Sequence, residues 1–277
     1  MPIDKLLNFR LDFWVSILLS LIIGAVIFTF FFDLQILDPT YIQWLKDGDR
    51  MQHYVGSYTF RADSWHFPIT KTTLLAYPEG ASIIYTDSNP LLSIIFKLLR
   101  PVFPPENQFF GIWFMLCWIL QSVFGFLIMN KLTKNKVYAL LSAVLICLLP
   151  AMFHRIMHTN LIAFWLILWA IYIFILDDEK HFKKEVLFFL VFAVAALIHG
   201  YLCIMTIFIG GTWFLKEGIF YIKKKDFKTL GMYAFRVIML GIIFILTLWV
   251  FGFFLQHPKW RWRHGLWQLF NEFISSL

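Results

Sequence analysis

Long apolar runs separated by short basic turns set the pattern of this chain, and one stretch breaks it. Residues 13–32 form an uninterrupted apolar run. A helix rises about 1.5 Å per residue, so a run of this length crosses the ~30 Å hydrocarbon core of a bilayer. Comparable runs follow at 109–129, 137–153, 161–176, 182–199, 201–219 and 232–255. The pattern predicts an all-α polytopic membrane protein with seven transmembrane helices. Residues 33–108 are too polar to cross and predict a long loop between spans one and two.

One run is ambiguous. Val186 to Leu215 is apolar except for a break at His199-Gly200-Tyr201. A single helix would put Lys216, Lys223, Lys224, Lys225 and Lys228 outside, whereas two short helices put them inside. Basic residues favour the cytoplasmic side, so two helices are expected. The N-terminus is then cytoplasmic, behind Lys5 and Arg10, and the loop 33–108 lies outside. The polar turn from His154 to Asn160 and the break at His199 share that outer face.

Composition agrees. The chain is 60% hydrophobic and only 15% charged, against roughly 25% charged in soluble domains. A net charge of +7 is explained by loops facing anionic lipid and needs no nucleic acid. Cys117, Cys147 and Cys203 lie in apolar runs without metal-ligand spacing. The first run has no small-residue cleavage site and reads as a retained span. The tail, with Trp260, Arg261, Trp262 and Arg263, has the residue types that anchor at a headgroup interface. The chain stops soon after, which suggests the front module of a longer protein.

The loop carries eight acids: Asp33, Asp38, Asp47, Asp49, Asp63, Glu79, Asp87 and Glu106. Asp38-Pro39 reads as an N-cap and first helical residue, predicting a helix from Pro39 to Lys46. Asp49 with Gln52 reads as a capping box for a helix from about Arg50 to Arg61. Ala81 to Thr86 should be extended. Asn89-Pro90 should open a helix to Leu99 that lies along the membrane surface.

The strings Gly48-Asp49-Arg50-Met51-Gln52-His53, Tyr77-Pro78-Glu79-Gly80-Ala81-Ser82-Ile83, Thr86-Asp87-Ser88-Asn89-Pro90-Leu91 and Arg155-Ile156-Met157-His158 resemble an uncharacterised bacterial family placed among the GT-C membrane glycosyltransferases. The order of one span, a long outer loop and six more spans is similar to that superfamily's seven-span module. The resemblance implies a polyprenyl-phosphate sugar donor and a glycan, lipid or protein acceptor. It also implies a bacterial inner-membrane location, and further spans after the module.

It also implies that an Asp soon after the first span is the base. Asp49 is that candidate, and the N-cap reading stands beside it. Asp47 is the fallback. Asp87 could hold a divalent cation on the donor phosphate, bind sugar hydroxyls, or simply form a turn. Arg155 and His158 suit the departing phosphate, or a headgroup. His199 either lines the outer cavity or fills a kink. His53 and His66 suit a sugar pocket, and Trp44, Tyr54, Tyr58 and Trp65 either stack on sugars or form loop core. His154 and His158 have helical metal spacing, but no acid lies between them as a zinc protease needs. A non-catalytic transporter or scaffold of a lipid-linked glycan pathway is the alternative. Acidic residues are expected to be absent from the span interiors, which disfavours transport.

Overall fold

The computed structural model describes residues 12–176 and 181–255, and nearly three quarters of these residues are helical. Helix α1 (Phe13–Phe31) starts where the Asp12 carboxylate accepts from the Trp14 and Val15 amides. This helix is apolar on every side. What it buries is therefore chosen by size: Ser16, Ser20, Gly24 and Phe28, one per turn. Against that stripe packs α4 (Phe110–Thr133), where Ser122 Oγ donates to the Ser20 carbonyl at 2.7 Å. A Cβ at Gly24 would meet Ile119 Cα at 2.6 Å. Small residues repeated every fourth position bring two helices into this close contact.

The segment between α1 and α4 holds α2 (Gly48–Ala62), a minimal antiparallel pair of strands, β1 (Lys71–Thr72) and β2 (Ala81–Ser82), and α3 (Pro90–Leu98). Asn89 caps α3 by accepting from the Leu92 amide, as the Asn-Pro pair predicts. Three details differ from expectation. No α-helix forms from Pro39 to Lys46. Only a 3-10 turn, Gln43–Leu45, is found there. The reason is a competitor for the carbonyls. Gln108 donates its side-chain amide to Ile36 O and Asp38 O and its backbone amide to Pro39 O. Second, α2 begins at Gly48 with Asp47 at the cap, so Asp49 lies inside the first turn and does not cap. Third, only Ala81 and Ser82 are extended, and Ile83–Thr86 is a 3-10 turn.

After α4 come α5 (Lys136–Cys147), α6 (Pro150–His154), α7 (Trp165–Ile175), α8 (His181–Ile198), α9 (Gly200–Lys223) and α10 (Phe227–Val250). The break between α8 and α9 is at His199, as the charge pattern predicts. Among the described residues, five helical stretches are long and apolar enough to cross a membrane: 13–31, 110–133, 136–154, 200–223 and 227–250. Of the other two expected spans, α7 is apolar but has only 11 residues. Helix α8 carries Lys183, Lys184 and Glu185 near its start. Acids are not confined to the loop: Glu185 in α8 and Glu217 in α9 are both buried. Arg236 of α10 holds Glu185 with bonds of 2.9 and 2.8 Å to its two oxygens. The Trp- and Arg-rich tail lies outside the described residues.

The main core runs beneath the loop. It joins Phe28, Trp113, Phe114 and Trp118 to Ile162, Leu166, Ala195 and Leu202. Helix α10 contributes little buried surface, and its C-terminal end is held by the loop. Ile69 N–H donates to Val250 O at 2.9 Å, and the Thr70 hydroxyl donates to Phe251 O. Tyr85 OH lies within reach of Phe253 O and Leu255 O, at 2.9 and 3.0 Å. These donors satisfy carbonyls that a helix end leaves without intrahelical partners.

Candidate functional site

Two Asp–His pairs form at the junction of α2, the turn before α3, the turn after α6 and the α8–α9 break. Asp49 Oδ2 stands 3.1 Å from His158 Nε2. Asp87 Oδ1 stands 3.4 Å from His199 Nε2. Side-chain exposure separates the partners: Asp49, His158 and Asp87 are 48%, 38% and 41% exposed, while His199 is only 8% exposed. The carboxylates thus reach the surface and His199 lies beneath.

The helical repeat explains how α2 supplies its share. At 100° per residue, Asp49, His53 and Gly56 fall on one face. His53 lies below Asp49 and is buried, with Nδ1 2.6 Å from the Thr159 hydroxyl. Its ring centroid is 6.4 Å from that of His158. Burial, with His158 and His199 nearby, pushes the His53 pKa down to about 3. His53 is therefore a neutral ring at physiological pH and carries no charge.

Gly56 makes room for the second carboxylate. A Cβ there would lie 2.1 Å from Ser88 Oγ and 2.3 Å from Thr86 Oγ1. The turn Thr86-Asp87-Ser88-Asn89 therefore packs directly on the α2 backbone. Its hydroxyls are locked: Thr86 and Ser88 pair at 2.7 Å, and Ser93 Oγ donates to Ser88 O at 2.6 Å and to Ser57 Oγ at 3.0 Å. Asp87 and Asn89 both adopt left-handed backbone, at φ 50° and 48°. Such residues cost of order 1–3 kcal/mol each and persist where the surroundings over-determine them. Here the Asn160 side-chain amide donates to the Asp87 carbonyl from across the site. Burial raises the pKa of the Asp87 carboxyl, with His199 and His158 pulling the other way and Asp49 adding to the rise. Both pairs therefore lie within one electrostatic neighbourhood.

His199 caps α9. Its Nδ1 accepts from the Tyr201 amide at 3.1 Å. That leaves the proton on Nε2, which faces Asp87. Among the described residues, His158 makes no hydrogen bond at Nδ1.

Of the six residues singled out from the sequence, five converge: Asp49, Asp87, His53, His158 and His199. Arg155 does not join them. It is exposed just past α6, and its contacts within the protein are backbone ones. Asp47 is 80% exposed and 3.9 Å from Arg50. His66 is engaged elsewhere, 3.2 Å from Asp63. The loop aromatics serve packing. Tyr54 OH donates to Glu106 O, Trp44 packs on Phe114, and Lys97 Nζ sits 4.5 Å over the Trp65 ring. Among the described residues, no group of three or more His, Cys, Asp or Glu has metal-binding geometry.

Sequence reasoning missed Thr159, Asn160 and Arg50. The first two are fully buried and hold His53 and Asp87. Their signal was adjacency to His158 in a polar turn between apolar runs. Arg50 follows Asp49, lies 5.8 Å over the Trp44 ring, and has a buried Nε with no partner.

These features define a helical protein with membrane-length apolar helices and a paired Asp–His site on its longest loop. The chain belongs to the DUF6311 family, described as a domain of unknown function, whose profile matches residues 21–270. No curated protein and no solved structure matches it.

Proposed function

We propose that this protein is a GT-C-type glycosyltransferase of the bacterial inner membrane. It moves a sugar from a polyprenyl-phosphate donor to a glycan, lipid or protein acceptor at the outer face. Seven helices cross the bilayer, the N-terminus is cytoplasmic, and residues 33–108 lie outside. The observation that carries this reading is the convergence of Asp49–His158 and Asp87–His199 in one cluster. Direct displacement at a sugar carbon needs a group that takes the acceptor's proton, and a carboxylate–imidazole pair is suited to that. The Asp49–His158 pair handles the proton. Asp87, partly exposed and held from behind, binds sugar hydroxyls or a divalent cation on the donor. The exposed Arg155 is free to meet a lipid phosphate at the membrane surface.

The transporter alternative is weakened by the Glu185–Arg236 pair. A buried carboxylate gripped at both oxygens by a guanidinium suits a structural tie better than an ion path.

The test is transfer of radiolabelled sugar from polyprenyl-phosphate donors in proteoliposomes. Wild type should transfer at least one sugar, and Asp49→Asn should lose about 10²-fold or more. A folded Asp49→Asn variant with full transfer sinks the reading.

A further inference from the structure

The two Asp–His pairs look alike but differ at the far side of the ring. His199 spends Nδ1 on the Tyr201 amide, so it has no lone pair left for a substrate. His53 is buried and spends Nδ1 on Thr159. His158 is 38% exposed, presents Nε2 to Asp49, and keeps Nδ1 unused among the described residues. We infer that His158, rather than Asp49, is the proton acceptor of this site, and that Asp49 is a positioning residue that holds the ring in its reactive tautomer. This rests on the transferase reading above and specifies which member of the pair does the chemistry.

The physical reasoning is that of oriented imidazoles in general. A carboxylate that accepts Nε2–H fixes the proton there and leaves Nδ1 as the basic nitrogen. It also stabilises the imidazolium that forms. The groups near His158 come from three other elements. Asp49 comes from α2, Asp87 from the turn before α3, and the nearby His53 stays neutral. His199, from the α8–α9 break, is already engaged with Asp87.

The step balances. The acceptor hydroxyl oxygen forms a bond to the anomeric carbon as the bond from that carbon to the donor phosphate oxygen breaks. The phosphate leaves with the electron pair, and the hydroxyl proton goes to His158 Nδ1. Water then takes it from the imidazolium.

Two measurements on the full chain in proteoliposomes test this. The first needs no substrate. Diethyl pyrocarbonate acylates the unprotonated imidazole nitrogen, and the labelled peptides are read by mass spectrometry. At about pH 8, where an ordinary imidazole is neutral, His158 should label faster than His199 and His53. Asp49→Asn should slow His158 severalfold, because the carboxylate holds the proton on Nε2 and keeps Nδ1 unprotonated. Unchanged or faster labelling in Asp49→Asn overturns the inference.

The second is chemical rescue of transfer. His158→Ala should lose about 10²-fold or more and recover in part with added imidazole. Asp49→Ala should not recover with acetate. If acetate restores Asp49→Ala, or His158→Ala keeps full activity, Asp49 is the base and the inference fails. If wild type transfers no sugar from any donor, the transferase reading fails, and the labelling result still decides whether Asp49 activates His158.

Discussion

His199 Nε2 lies 3.4 Å from Asp87 Oδ1, so the break between α8 and α9 is tied to the turn that opens α3. The same ring caps α9 through Nδ1. Two substitutions separate these jobs. Asn is a strong N-cap, so His199→Asn should keep the helix start while its shorter side chain loses Asp87. His199→Ala loses both, and should unfold at lower temperature than His199→Asn by the equivalent of ~0.5–2 kcal/mol, the usual worth of a cap. A double-mutant cycle of His199→Asn with Asp87→Asn should show a coupling of about 0.5–3 kcal/mol. Thermal unfolding in detergent reads both, and strict additivity would remove the pair from the account of the site.

Gly56→Ala changes no group that touches substrate. The added methyl would nonetheless sit 2.1 Å from Ser88 Oγ and 2.9 Å from Thr86 Cβ. Ser88 and Thr86 are locked by their mutual hydrogen bond, so the Asp87 turn must move. Overpacking of this kind costs about 1–3 kcal/mol. Lower thermal stability together with reduced transfer is expected. Gly211, which has open space around it, is the control, and Gly211→Ala should leave both nearly unchanged.

The Glu185–Arg236 pair should respond very differently to one change than to two. Removing one partner leaves an uncompensated buried charge and costs about 3–5 kcal/mol. Arg236→Met should therefore destabilise strongly. Glu185→Met combined with Arg236→Met should recover most of the loss. Unfolding midpoints of the single and double variants check this.

Asp63 makes the loop sensitive to acid. Burial alone would raise its pKa. Hydrogen bonds from Thr73 N–H, the Thr72 hydroxyl, Ser64 N–H and His66 outweigh burial and hold its carboxyl well below the usual carboxylate range. A depressed folded pKa gives stability that is fully present above the unfolded value of about 3.9 and is lost as pH falls toward the folded one. Protease cleavage between β1 and β2 should therefore rise below about pH 4 in wild type. Asp63→Asn should already be more susceptible at neutral pH, and its susceptibility should change less with acid.

How much could be read from the sequence depended on whether a local or a distant partner decides the outcome. The Asn89-Pro90 start of α3 is local and was legible. So was the His199 break, because Lys residues on either side of an ambiguous run leave one acceptable parity. The absent Pro39 helix was not legible, since it was lost to Gln108, far along the chain, which takes the Asp38 and Pro39 carbonyls that the first turn of a helix would have used. Asp49 had the right neighbours for a cap, yet α2 starts two residues earlier, at Gly48, and frees it to face His158. Of the five converging residues, His158 and His199 were visible as polar interruptions of apolar runs, and Asp49, His53 and Asp87 as polar residues of the long loop. Their pairing was not, because side-chain direction at a helix end or short turn is set by tertiary packing. Arg155 missed the cluster for that reason.

The grip of the loop on the end of α10 has a mechanical consequence. Among the described helices long enough to cross a membrane, α10 is the least buried. Near its C-terminal end, the carbonyls of Val250, Phe251, Phe253 and Leu255 accept hydrogen bonds from Ile69, Thr70 and Tyr85. A tilt of α10 must stretch those bonds or drag Tyr85 with it, and Tyr85 stands just before Asp87 in the chain. The most loosely seated helix is thus the long arm of a lever whose short arm ends at one of the two carboxylates.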